Sequence, residues 1–286
     1  MQTVAILGTG LIGASFGLAL KKAGFTGRIL GVSSPAALEA ALARGAIDEG
    51  AGLEPAVAAA DLVYLAQPIR RILEILPKLD ALARPGALIT DAGSTKAAIV
   101  AAAGETIRRC QFLGGHPLAG KERRGASEAD AELFRGRTYV LTPAGAGDLQ
   151  TPAARRFLEL LRSIGALPVT LEPAEHDRIV AFTSHLPQLA STGLAAVVAE
   201  NLPASEQVAI AGPGLEGMTR LASSSYEIWR DILATNAPAV IQAISAYIDR
   251  LEFMRRNLGS PELGRMFERA ASLAAGVRGR SAGNES

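Results

Sequence analysis

Cysteine is nearly missing from this chain, since only Cys110 among 286 residues carries a thiol. That excludes a disulfide framework and any metal site built from thiolates, and it fits a reducing, cytoplasmic setting. Cys110 itself lies just ahead of a strand pattern and reads as inert packing. A bias of charge is missing too. Lys and Arg number 29 against 28 Asp and Glu, a balance that offers no electrostatic case for nucleic acid or an anionic membrane as partner. Arg, Asp, Glu or Pro interrupts every Ala/Leu-rich stretch, so no apolar run reaches the length that spans a bilayer. The opening MQTVAILGTG already contains strand and turn and lacks the basic region of a signal peptide. Histidine is scarce, at three residues. One of them, His116, stands in GGHPLAG between glycines and a proline, where it fills little core volume. Glycine lets backbone approach a ligand closely and proline fixes how the chain leaves, so the segment reads as a held imidazole. The ligand expected from these exclusions is a small molecule.

What the chain has in quantity is apolar residues, 49% of the total, enough for substantial cores in two domains and too many for a disordered chain. The first half alternates short β-branched runs with alanine-rich helical patterns. The strands are TVAILG, RILGVS, LVYLAQ, ALITDAG, QFLGG and TYVLTP, with helices through Ala23, Arg44 and Leu82 among those between them. Strands apolar on both faces, alternating with helices, predict a doubly wound α/β domain with a parallel sheet. After a Gly/Pro-containing segment at 143–152 come one helix from about Pro152, a short strand LPVTL, and long Ala/Leu stretches from Pro173 to about Arg256 that read as packed helices. The division expected is a dinucleotide-binding domain over 1–172 and a helical domain over 173–277. The polar tail RGRSAGNES, 278–286, is expected to be disordered.

Gly8, Gly10 and Gly13 follow the first strand and open a helix. There glycines permit the tight turn, the approach of a pyrophosphate to the backbone from Gly10 through Leu11 and Ile12, and close helix–sheet packing. An NAD site wants a carboxylate roughly 20 residues further on to hold the ribose hydroxyls, whereas this chain has Ser33 and Ser34 in GVSSP. Without the acid a 2′-phosphate is not repelled, so NADP stands level with NAD; Arg28 precedes the strand and is expected to point away. TDAGSTK closes a strand and opens a helix at the carboxyl edge of the sheet, where such folds bind ligands. Ser94 or Thr95 there serves either the chemistry or the cap of the next helix. With His116 at the same edge, a hydroxyl beside an imidazole outlines an acid–base pair. In EHDRIVAFTSHLPQLAS, His176 and Asp177 precede Ser184 and His185 by about two helical turns and are expected to share their face. His185 before Leu-Pro reads equally as a polar residue at a kink. Arg220, after a glycine-rich turn, suits a carboxylate, or a surface pair with Asp177 or Glu122. Trp229 reads as packing.

In that order GTGLIGAS, DAGSTK, GGHPLAGKERRG, HDRIVAFTSHLPQ and TRLASSSYEIWRDILATN resemble the prephenate/arogenate dehydrogenase family of tyrosine biosynthesis. The resemblance implies a Rossmann-type domain followed by an all-helical dimerisation domain, a homodimer, an active site between the domains, and NADP or NAD as cofactor without a metal. It implies His116 as the catalytic histidine and Ser94 as its hydrogen-bonding neighbour. It further implies Arg220, His185, Lys96 and Glu122 as substrate-binding residues, Lys96 being linked to substrate or cofactor. The reaction implied is oxidative decarboxylation of prephenate to 4-hydroxyphenylpyruvate, with arogenate to tyrosine as the alternative. Two departures bear on that choice. Glu216 stands where many prephenate-using relatives have a basic residue, and Gln188 follows Pro187 where relatives often have histidine. Other dehydrogenases with the same domain order, β-hydroxyacid dehydrogenases and pyrroline carboxylate reductases, share the glycine turn but do not account for GGHPLAG together with SHLP. A non-catalytic nucleotide sensor does not account for a converging Ser, His and Arg.

Overall fold

The structure, a computed structural model, describes residues 1–121, 123–202 and 209–283, with side chains described to residue 277. Glu122, expected at the substrate, lies outside them. The described chain forms two compact units, Met1–Asp177 with Ser225–Thr235, and Arg178–Ser224 with the chain from Asn236. The boundary therefore falls five residues later than expected, and one later segment returns to the first unit.

In the first unit, β1 (Thr3–Leu7), β2 (Arg28–Val32), β3 (Glu49–Gly50), β4 (Leu62–Leu65), β5 (Leu88–Asp91), β6 (Gln111–Pro117), β7 (Thr138–Thr142) and β8 (Leu167–Thr170) form one sheet in the order β3-β2-β1-β4-β5-β6-β7-β8. All pairings are parallel except β6 with β7. Helices α1 (Leu11–Lys22), α2 (Pro35–Ala43), α3 (Leu53–Ala59), α4 (Ile69–Leu82), α5 (Ala97–Thr106) and α6 (Pro152–Ser163) connect the strands, and α7 (Pro173–Val180) follows β8. Val4–Leu7, Leu62–Leu65 and Leu88–Asp91 are buried along their whole length. This is why these runs carry apolar residues without alternation: helices cover both faces. Two clusters form the core, one around Ile6, Phe16, Tyr64 and Phe157, the other around Leu7, Leu65, Ile72 and Ile89. Trp229 packs against the second. The sequence reading passes over β3 and α3. β3 is two residues long and exists only by pairing Glu49 and Gly50 with Leu30 and Gly31, so no local periodicity announces it.

The second unit is helical. A π-helical turn (Ala181–His185) leads into α8 (Leu186–Asn201), followed by α9 (Pro213–Thr219), a 3₁₀ turn (Arg220–Ser223), α11 (Ala237–Arg256) and α12 (Pro261–Gly283), while α10 (Tyr226–Thr235) belongs to the first unit. Pro187 has no N–H for the carbonyl four residues back, and the widened turn just before it is where the ladder accommodates that loss. α12 continues to Gly283, six residues into the tail expected to be disordered. Among the described residues no helix is long and apolar enough to cross a membrane.

Candidate active site

The glycine turn of β1–α1 is built by crowding on one side and openness on the other. Gly8 has φ +97°, and a Cβ there would meet Ala66 O at 2.5 Å; one on Gly13 would run into the Gly8 carbonyl oxygen, whereas one on Gly10 meets nothing within 4 Å. Gly13 is thus required for packing, and Gly10 leaves the helix N-terminus open. Gly10 is the N-cap of α1 and makes no side-chain cap hydrogen bond, so the first N–H groups of Leu11, Ile12 and Gly13 face outward with the positive end of the helix dipole.

Two neighbouring helices at this sheet edge are closed instead. Asp177, midway along α7, accepts from Lys96 N at 2.7 Å and Ala97 N at 2.9 Å, capping α5. Asp231 on α10 accepts from Arg70 N at 3.2 Å at the start of α4. The cap of α5 therefore comes from a residue 81 positions away, not from Ser94 or Thr95; Thr95 Oγ1 instead meets Thr235 Oγ1 at 2.8 Å. Beside these ends lies a cavity of about 330 Å³ lined by Ile12, Gln67, Gly93, Ser94, Arg124 and Asp231 among others. It brings Ser94 together with Ile12 of the glycine turn. Gln67 Oε1 is buried in its wall without a hydrogen-bond partner, an acceptor left for a polar ligand.

His116 lies inside β6, not beyond it. The first half of β6 pairs with β5 up to Leu113, and the second half, Gly114–Pro117, turns to pair with β7, setting His116 opposite Val140. Where β6 leaves β5, the Asp91 side chain replaces the ladder. It accepts from Gly93 N at 2.8 Å and Gly115 N at 3.0 Å. A Cβ on Gly115 would meet Asp91 O at 2.5 Å and the Tyr139 ring at 3.0 Å, and one on Gly114 would strike Thr142 Oγ1. The glycines beside His116 thus answer to neighbouring protein, not to an approaching ligand. Lys96 is fully buried, its ammonium held by Asp91 and, at 2.8 Å, by Gly115 O. Burial draws its pKa below the ordinary lysine value even against the attraction of Asp91. In this position Lys96 braces the strand that carries His116. The His116 ring meets a partner that spacing did not suggest: its Nδ1 lies 2.8 Å from His176 Nε2, and His176 Nδ1 lies 2.8 Å from Asp177 Oδ1. His176 is 0% exposed.

A π turn follows the helix of His176, and His185 at its end belongs to the second unit, buried with Nδ1 3.3 Å from Asn236 Nδ2. Gln188, also buried, donates to Leu221 O at 2.7 Å and holds α8 against the 3₁₀ turn that begins at Arg220. Arg220 is exposed, as is Glu216 in the first turn of α9. Ser33 is partly buried at the carboxyl end of β2, with Ser34 exposed as the N-cap of α2. Arg28, at the opposite end of β2, pairs with Glu49.

Residues 16–167 match the family description "Prephenate dehydrogenase, nucleotide-binding domain", and residues 172–269 match "Prephenate dehydrogenase, dimerization domain". The chain belongs to the prephenate dehydrogenase family. It is 36% identical over 263 residues to the prephenate dehydrogenase of Bacillus subtilis (strain 168), covering 89% of this chain and 69% of that protein. Among solved structures it is similar to the prephenate dehydrogenase of A. aeolicus in complex with hydroxyphenyl propionate and NAD+, with a TM-score of 0.88 and 28% identity over 97% of this chain and 98% of that one. It is also similar to Synechocystis arogenate dehydrogenase, with a TM-score of 0.80 and 29% identity over 96% and 99% of the two chains. Like its family, this chain is an oxidoreductase with a nucleotide-binding Rossmann-type domain. The match begins beyond the glycine turn, so the role of Gly8, Gly10 and Gly13 rests on their geometry. The open α1 N-terminus and the unpartnered Gln67 oxygen fit a nicotinamide dinucleotide. Sequence reasoning missed Gln67, Arg124 and Asp231 at the cavity, and the pairing of His176 with His116.

Proposed function

We propose that this protein catalyses the NAD(P)-dependent oxidative decarboxylation of prephenate to 4-hydroxyphenylpyruvate. The observation that carries the reading is His116, an imidazole on a braced strand with a buried hydrogen-bonding partner, in a chain whose two parts both match the family. When bound, the nicotinamide ring supplies the acceptor for the hydride that leaves C4 of the cyclohexadienol. His116 takes the C4 hydroxyl proton as that carbon is oxidised. The bond from C1 to its carboxylate then breaks, its electron pair enters the ring, and CO₂ departs. His116 returns its proton to the phenolate oxygen that aromatisation leaves. Aromatisation drives the reaction, so what the protein supplies is alignment and one base.

Ser94 is the proposed hydrogen-bonding neighbour of the reacting hydroxyl, supported by its position at the cavity with Ile12. Arg220 is the proposed partner of the substrate carboxylate and His185 a further contact, both on the family resemblance; Glu122 is carried on that resemblance alone. Lys96 acts in this reading by holding the Asp91–Gly115 corner. Ser33 and Ser34, in place of an acid, support NADP beside NAD. Glu216 and the likeness to an arogenate dehydrogenase favour arogenate as the second reading, since a carboxylate suits its ammonium. A homodimer is supported by the match to the dimerisation domain and by Ile241, Ile248 and Leu251, all exposed on α11. The single cysteine supports the cytosol as compartment.

The test is reduction of NAD and NADP, followed at the nicotinamide absorbance, with prephenate and with arogenate. Rapid reduction with prephenate supports the proposal, and turnover confined to arogenate replaces the substrate. No reduction in any combination, by folded protein that binds the dinucleotide, overturns it.

A further inference from the structure

The ring of His116 is joined to a buried chain that the proposed reaction does not by itself require. Asp177 Oδ1 accepts Lys96 N and lies against His176 Nδ1, while Oδ2 accepts Ala97 N. A carboxylate only accepts, so the proton of that contact sits on His176 Nδ1. Neutral His176 then presents a lone pair at Nε2, and the atom 2.8 Å from it, His116 Nδ1, must donate. The hydrogen on His116 is thereby committed to Nδ1, and the lone pair to Nε2. Such assignment of one ring nitrogen by the bond of the other is how a histidine is made a base of defined direction.

We propose that His176 and Asp177 are positioning residues that hold His116 in the Nδ1–H tautomer, so that Nε2 is the nitrogen that accepts the substrate proton. This rests on the reading of His116 as the base. The rings meet edge to face at 74° with centroids 5.1 Å apart, so rotating His116 costs it the bond to His176. Lys96 ties both ends of the arrangement: its amide anchors Asp177 and its ammonium anchors the carbonyl of Gly115, the residue before His116. When His116 takes the proton, its Nδ1–H bond to His176 strengthens, and the new charge stands one imidazole away from the Asp177 carboxylate.

With three histidines in the chain, ring tautomers can be read directly from long-range ¹H–¹⁵N correlations of histidine-labelled full-length protein, assigned with His176→Gln and His116→Asn. The expected result is Nδ1–H with bare Nε2 for both His116 and His176. An Nε2–H tautomer for His116 overturns the relay, whatever the enzyme then turns over. Kinetics gives the second arm. His176→Gln keeps a carbonyl acceptor for His116 Nδ1–H and should retain kcat within about 10-fold, while His176→Leu offers none and should lose at least about 100-fold in kcat, the scale of a misdirected general base. Dinucleotide affinity should stay within about twofold in both. Equal losses in the two folded variants would make His176 mere packing. Full activity in His116→Asn would instead sink the base reading while leaving the tautomers as found.

Discussion

Removing the Lys96 ammonium would leave Asp91 buried with its charge uncompensated, because both side chains are fully shielded from water. Lys96→Met should therefore destabilise the protein by about 3–5 kcal/mol, the usual result of breaking a buried pair from one side, as read from denaturant unfolding. A change below about 1 kcal/mol would mean that the pair is replaceable by packing. Asp61 tests a different electrostatic contribution. Burial opposes its charge, but the amides of Gln2 and Thr3 and the guanidinium of Arg84 outweigh burial and hold its pKa below the ordinary value. A depressed carboxylate stabilises above the unfolded pKa, about 4, and that stability is lost as pH falls through the folded value. Asp61→Asn should cost about 1–2 kcal/mol at neutral pH, with the gap from wild type closing below about pH 4. A gap independent of pH would point to lost packing instead. At this scale the sequence singles out His116, Ser94 and the glycines of the β1–α1 turn as candidates, because the motifs that hold them are local. The pairing of His116 with His176 is not legible, since it joins side chains 60 positions apart.

Among elements, the opening of α1 contrasts with the closed ends of α4 and α5. Gly10→Ala should leave the fold intact, since a Cβ there meets nothing within 4 Å, yet weaken dinucleotide binding by at least about 10-fold by obstructing the approach of the pyrophosphate. Gly13→Ala, whose Cβ runs into the Gly8 carbonyl oxygen, should lower the melting temperature as well. Calorimetry and NADH fluorescence titration separate the two, and unchanged binding in Gly10→Ala would move the cofactor away from this turn. Strand–helix alternation made the sheet legible because its inner strands β1, β4 and β5 are apolar on both faces. The cap of α5 was not legible: Ser94 and Thr95 satisfy the local capping pattern, but Asp177 brings a carboxylate to two amides at once. Nor does spacing reveal the π turn at Ala181–His185, which lies between His176 and the helix that follows.

At the scale of the whole molecule, the second unit leaves Ile241, Ile248 and Leu251 on α11 and Phe267, Leu273 and Val277 on α12 exposed. Ile241→Glu is expected to shift the proposed dimer towards monomer by at least about 10-fold in dissociation constant, the cost of about one buried isoleucine replaced by a charge. Sedimentation velocity reads this directly, and an undiminished dimer would set the interface elsewhere. The division into a sheet unit and a helical unit follows from the change of pattern near Pro173, but the return of Ser225–Thr235 to the first unit does not, because a helix has the same periodicity whichever core it joins.

The most direct test of the account is His116→Asn, measured for kcat with prephenate alongside dinucleotide affinity. The account predicts a fall in kcat of at least about 100-fold with cofactor affinity unchanged; wild-type turnover in that variant would contradict it.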